Sequence, residues 1–91
     1  MKRDYSDSEI RALTLDWLMR HGRWGAHYFP LETLVNKLSH AVKNDGKRIR
    51  RGVRELLEEG YVLPHKGGNT ISLNPQRGRE ITEYIQRIIG F

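Results

Sequence analysis

The stretch "KRIRRGVRELLEEG", Lys47 to Gly60, carries five positive charges and no negative one in its first eight residues, and turns acidic and apolar in its second half. At about 100° per residue, Ile49, Val53, Leu56 and Leu57 share one face of a helix, and Lys47, Arg50, Arg51 and Arg54 share the opposite one. Gly60 stops the run. A helix of this kind needs a core on its apolar side and, on its cationic side, either water or an anion.

The rest of the composition favours the anion. Lys and Arg number 16 against 11 Asp and Glu, and setting aside Lys47, Arg48, Arg50, Arg51 and Arg54 leaves 11 of each sign. One short segment therefore accounts for the whole net charge of +5. Charge concentrated in this way points to a polyanionic partner more than to general solubility.

A length of 91 residues fits one domain, 1–91, with a single small core. There is no cysteine, so neither a disulfide framework nor a thiolate zinc site reinforces that core. "MKRDYSDSEI", Met1 to Ile10, is charged and lacks the apolar stretch of a secretory signal. No apolar run approaches the roughly 18 residues of a membrane span. The expectation is a soluble, cytoplasmic protein.

Upstream of the basic helix, Ser6 and Glu9 have the spacing of a capping box, and Ile10, Leu13, Thr14, Trp17, Leu18 and His21 follow at helical spacing until Gly22. "RWGAHYFP" reads as a loop with at most a short strand over 26–29. Leu31, Leu34, Val35 and Leu38 predict a second, short helix after Pro30, fading over 40–43. "KNDG", Lys43 to Gly46, reads as a turn leading into the basic helix, 45–59.

Downstream, "YVLPH" and "TISL" have strand composition, and "KGGN" between them suits a tight hairpin, 61–74. Pro64 cannot donate to a ladder, so its strand belongs at an edge. Asn74 and Pro75 then have the order of an N-cap and first helical residue. Ile81, Tyr84, Ile85, Ile88 and Ile89 complete an amphipathic helix over 75–90.

This order of elements resembles the winged helix-turn-helix domain. "IRRGVRELLEEGYV" looks like its recognition helix running into the first wing strand, and "SLNPQRGREI" resembles the exit from the wing into a further helix. The resemblance covers about residues 8–90, is most specific over Leu56 to Val62, and is nearest to small archaeal, bacterial and archaeal-virus proteins. It implies an α+β, mostly helical fold: a three-helix core and β-hairpin wing over 8–74, with an additional C-terminal helix.

It also implies double-stranded DNA as partner, with the basic helix in the major groove and the hairpin beside it, in a nucleoid-associated transcriptional regulator. The carried-over contact positions are Lys47, Arg48, Arg50, Arg51 and Arg54 on the helix, and His65, Lys66, Asn69 and Thr70 on the wing. Arg50 and Arg54, near the middle of the cationic arc, are expected at base edges, and Lys47, Arg48 and Arg51 on phosphates. Two departures from the pattern stand out: the wing carries one firm positive charge, Lys66, and the helix has no Asn or Gln with which to read adenine.

Other readings stay open beside this one. The basic face could be solvated and paired internally, Arg51 with Glu55 and Arg54 with Glu58. It could coat nucleic acid without reading sequence, bind structured RNA, or meet an acidic protein. The amphipathic C-terminal helix either packs back on the first helix or forms a two-fold homodimer through Tyr84, Ile85, Ile88 and Ile89, the expectation preferred here. Gly52, at the margin of the apolar face, is expected to let a neighbouring helix approach. Trp17 is expected in the core, and Trp24, beside Arg23, is the one exposed candidate for a platform that stacks bases.

His21, His27, His40 and His65 are dispersed, without metal-ligand spacing. No nucleophile-elbow or phosphate-loop pattern is present. The expectation is a protein with no enzymatic activity, no metal or other cofactor, and no small-molecule ligand.

Overall fold

The computed structural model describes residues 4–42 and 45–90. Among these it forms α1 (Asp7–Arg20), β1 (Phe29–Pro30), α2 (Leu31–Ser39), α3 (Asp45–Glu58), β2 (Val62–His65), β3 (Thr70–Leu73) and α4 (Gly78–Ile88). The fold is α+β and mostly helical, with its elements in the order expected from the sequence. Lys43 and Asn44 of the expected turn lie outside the described residues. No helix among the described residues is long and apolar enough to cross a membrane.

Local chemistry sets the helix ends. The Glu9 amide donates to the Ser6 hydroxyl (3.1 Å) and the Ser6 amide to the Glu9 carboxylate (2.8 Å), closing the capping box that starts α1. At the other end, Gly22 has φ 65°, its amide donates to the Met19 carbonyl, and the Arg23 amide donates to Leu18. Gly60 repeats the arrangement after α3 with φ 81°: its amide bonds Leu57, and that of Tyr61 bonds Leu56. Both are Schellman ends, which need the left-handed backbone that glycine adopts without strain.

The strands form one antiparallel sheet in the order β1-β3-β2. β3 lies in the centre, pairing Ile71 with Phe29 on one side and with Pro64 on the other. Both prolines, Pro30 and Pro64, therefore sit on edge strands, where a missing donor is tolerated. The first strand falls slightly later than the expected 26–29, because Phe29 and Pro30 find partners on β3 while His27 bonds back to Trp24. The Trp24 backbone adds an isolated bridge to Leu73.

α1 is the central element, packed against α3, α4 and β3. Its Ile10, Ala12, Leu15 and Leu18 are all buried, together with Leu34 and Val35 of α2, Ile49, Val53 and Leu56 of α3, and Ile71 and Leu73 of β3. Thr14, also buried, returns its hydroxyl to the Ile10 carbonyl at 2.8 Å. Trp17 is half-buried between His21, stacked at 3.7 Å, and Phe29.

Four expectations need correction. The last helix does not begin directly at Pro75: Asn74 caps a 3-10 turn over Pro75–Arg77, and α4 follows from Gly78. Trp24 is not a surface platform, being half-buried beside Gly78 and against the core.

The apolar face of α4 is used within the chain. Ile81 and Ile85 are fully buried, and the Tyr84 hydroxyl accepts from Arg11 and donates to the Ser8 carbonyl. Ile85 therefore does not form the expected dimer surface, and Tyr84 is half-buried. Ile88 and Ile89 lie at the margin, bordering a hollow of about 290 Å³ with Tyr5, Glu9 and Leu13. The outward side of α4 shows Arg79, Glu83, Gln86 and Arg87.

Gly46, rather than Gly52, is the glycine that permits close packing. Gly52 faces α1, but a Cβ there would meet Arg11 Cγ at 3.4 Å and Ile10 Cγ2 at 3.6 Å, ordinary contact distances. Gly46, within α3 rather than in the preceding turn, is the constrained position: a Cβ would come within 2.7 Å of Val35 Cγ1. Val35 is buried and cannot swing aside. Gly52→Ala should therefore stabilise the protein by about 0.5–1 kcal/mol through helix propensity. Gly46→Ala should destabilise it by about 1–2 kcal/mol net of the same gain, and urea unfolding of the two variants checks the opposite signs.

Candidate nucleic-acid interface

The apolar stripe of α3 fixes how the helix is rotated. With Gly46, Ile49, Gly52, Val53 and Leu56 buried, Lys47, Arg51, Arg54 and Glu58 point directly away from the core. Arg50 falls on the flank beside α2, and Arg48 on the flank beside α1. The five cations expected to act together are thus divided among three surroundings.

Arg48 belongs to the fold. Its side chain is 19% exposed and donates to the Tyr5 carbonyl (2.7 Å), Asp7 (2.9 Å) and Asp4 (3.2 Å). These bonds tie the start of α1 to the side of α3, so Arg48 is a clamp rather than an outward phosphate contact. Arg51 is half-exposed and reaches the same Asp7 oxygen at 3.0 Å. Arg50 pairs with Glu32 of α2. It is therefore not at the centre of the face, where the sequence arc had put it.

Lys47 and Arg54 are exposed and have no ion-pair partner among the described residues. The pairing of Arg51 with Glu55 that a solvated face would offer does not form, because Glu55 accepts from Arg11 of another helix at 2.6 Å. Arg11 also donates to Tyr84 at 3.1 Å, joining α1, α3 and α4. Burial opposes the charge on Arg11, but the bonds to Tyr84 and Glu55 outweigh it and raise its pKa.

The carboxylates that compensate the face, Asp4, Asp7 and Glu32, were not legible as its partners. Those on Arg48 and Arg51 come from 41 to 44 residues away in sequence. No local spacing reports such a pairing. The Arg48 hydrogen bond, with further help from Arg51 and against partial desolvation, holds the Asp7 carboxyl below its ordinary 3.8.

The hairpin contributes fewer free groups than expected. His65 is half-buried, its ring stacked on Tyr28 at 3.6 Å, and its Nε2 lies 3.0 Å from the Ser72 hydroxyl. Since the Ser72 hydroxyl donates to the Gly25 carbonyl (2.7 Å), Nε2–H of His65 must be the donor to Ser72. Thr70 donates to the His65 carbonyl at 3.3 Å. His65 and Thr70 thus hold the hairpin together, while Lys66 and Asn69 are exposed at its tip. The tip is fixed to α2 by the Leu31 amide, which donates to the Asn69 carbonyl at 3.0 Å. Among the described residues no group of His, Asp and Glu is placed to hold a metal ion.

Two stability outcomes follow from this division. Arg48→Ala should lower the melting temperature clearly, whereas Arg54→Ala should stay within about 0.5 kcal/mol of the parent, as for ordinary surface changes. Because the Asp7 pKa is lowered on folding, the stability it contributes is complete above its unfolded value and is lost as pH falls through the lower folded value. Thermal melts taken from about pH 5 down to pH 2 should show a shallower acid loss for Asp7→Asn. Among protein-family models, curated proteins and solved structures, none matches this chain.

Proposed function

We propose that this chain is a double-stranded DNA-binding protein of winged helix-turn-helix type, acting as a transcriptional regulator. In this reading α3 enters the major groove, and the β2–β3 hairpin lies beside it as a short wing with Lys66 and Asn69 at its tip. The observation that carries the proposal is the outward row Lys47, Arg51 and Arg54, on a helix whose other side is locked into the core.

The dimensions suit the ligand. The row spans about 10 Å along the helix axis at 1.5 Å per residue, close to the rise of three base pairs at about 3.4 Å each. The major groove, about 12 Å wide, admits one helix. Arginine in that groove can contact guanine O6 and N7 in a two-pronged way or hold phosphates. The positive N-terminal end of the α3 dipole lies at the Lys47 end and adds to the attraction.

Of the residues of the homodimer expectation, Ile85 is buried while Tyr84, Ile88 and Ile89 stay at least partly exposed, little beside the roughly 1,200 Å² or more of a stable interface. The proposal is therefore made for a single chain carrying one α3. A second reading, an acidic protein partner, is favoured by one observation: Arg48, Arg50 and Arg51 already hold carboxylates.

Titration of a fluorescent duplex at several salt concentrations tests the leading reading. Affinity should fall steeply with salt, and the Lys47→Ala/Arg54→Ala double variant should reduce the log–log slope by about 0.9 for each cation that contacts phosphate. Binding that is insensitive to salt and to both substitutions would overturn it. Equal affinity for selected and random duplexes would instead support sequence-independent coating, and stoichiometric capture of one acidic protein after nuclease treatment the second reading.

A further inference from the structure

Arg51 lies on the proposed DNA-binding face and Arg50 on its flank beside α2, yet each already holds an anion of the chain itself: Glu32 sits on Arg50, and Asp7 lies 3.0 Å from Arg51. Asp7 has a second duty on Arg48. Glu32 has none. It makes no other hydrogen bond or ion pair among the described residues, its side chain is 68% exposed, and α2 begins without a side-chain cap. Its one visible interaction is with Arg50.

Resting on the DNA-binding reading, we infer that Glu32 on Arg50, and Asp7 on Arg51 from the other flank of α3, are internal competitors that a nucleic-acid acceptor must displace before these arginines can bind. A carboxylate competes for the same guanidinium donors as a phosphate or a guanine edge, and here each holds one of them, Nη2 of Arg50 and Nη2 of Arg51. An exposed pair of this kind is weak, so a well-placed acceptor replaces it readily, while a poorly placed phosphate meets an occupied arginine and a nearby negative charge. Lys47 and Arg54 bind any duplex. Arg50 and Arg51 add their contacts only where alignment is good, so the two carboxylates lower non-specific affinity more than specific affinity, by repulsion of the misaligned ligand.

The test compares duplex titrations over a range of salt for the parent, Glu32→Gln, Arg50→Ala and the Glu32→Gln/Arg50→Ala double variant. Glu83→Gln controls for net charge, because Glu83 is exposed on α4, which packs on α1 rather than α3. Glu32→Gln should bind random duplex more tightly and steepen the log–log salt slope by about 0.9, the release expected for one more cation. Arg50→Ala should then cost more affinity in the Glu32→Gln background than in the parent. Asp7→Asn should give the same sign through Arg51, with folding checked by circular dichroism.

Weaker binding by Glu32→Gln would mean that Glu32 orients Arg50 for its ligand, and would overturn the inference. An effect equal to that of Glu83→Gln, or no effect, would overturn it too, leaving the DNA-binding reading standing if the parent binds with steep salt dependence. A parent that does not bind duplex at all brings down both.

Discussion

The seating of α3 on α1 and α2 determines what the rest of the molecule can do. Burying a Val, Leu or Ile side chain is worth about 1.5–3 kcal/mol, whereas an exposed ion pair contributes about 0–1 kcal/mol. The apolar stripe of Ile49, Val53 and Leu56 therefore sets the rotation of the helix, and the ion pairs form among whichever charges that rotation brings together. Arg48 lands beside the capped start of α1 and Arg50 beside Glu32, leaving Lys47, Arg51 and Arg54 facing outward. Gly46 tightens the same arrangement by admitting Val35 against the first turn of α3.

This placement changes the meaning of the net charge. As a sum along the sequence, the basic segment holds the entire excess of +5. In the folded chain, Asp4, Asp7 and Glu32 are drawn onto three of its five cations. The face is less positive than its sequence suggests, and Arg50 and Arg51 reach another acceptor only by giving up the carboxylate each already holds. A short hairpin with one lysine at its tip adds little charge to this surface, so α3 has to supply most of any electrostatic grip.

What was legible in the sequence was local. The Ser6 and Glu9 capping box, the glycines that end α1 and α3, the hairpin around "KGGN" and the apolar period of α4 are each written within a few residues. What was not legible depends on contacts between distant segments. The helical period of α4 shows that Ile81, Tyr84 and Ile85 are buried against something, but not that this something is α1 rather than a second copy. The arc of α3 separates apolar from basic residues, but Arg48 becomes a clamp only because the start of α1 arrives beside it. Likewise, His65 and Thr70 look like free polar groups until the outer side of the sheet is assembled, with Tyr28 stacked on the His65 ring.

A duplex is proposed to bind the outward face of α3, with the hairpin tip at its edge. Backbone and arginine side-chain NMR spectra recorded while duplex DNA is added test it most directly. The expected shifts fall on Lys47, Arg51 and Arg54 and on Lys66 to Asn69, with Glu83 to Arg87 on the outer side of α4 unmoved. Shifts concentrated on α4, or none at saturating duplex, would contradict the claim.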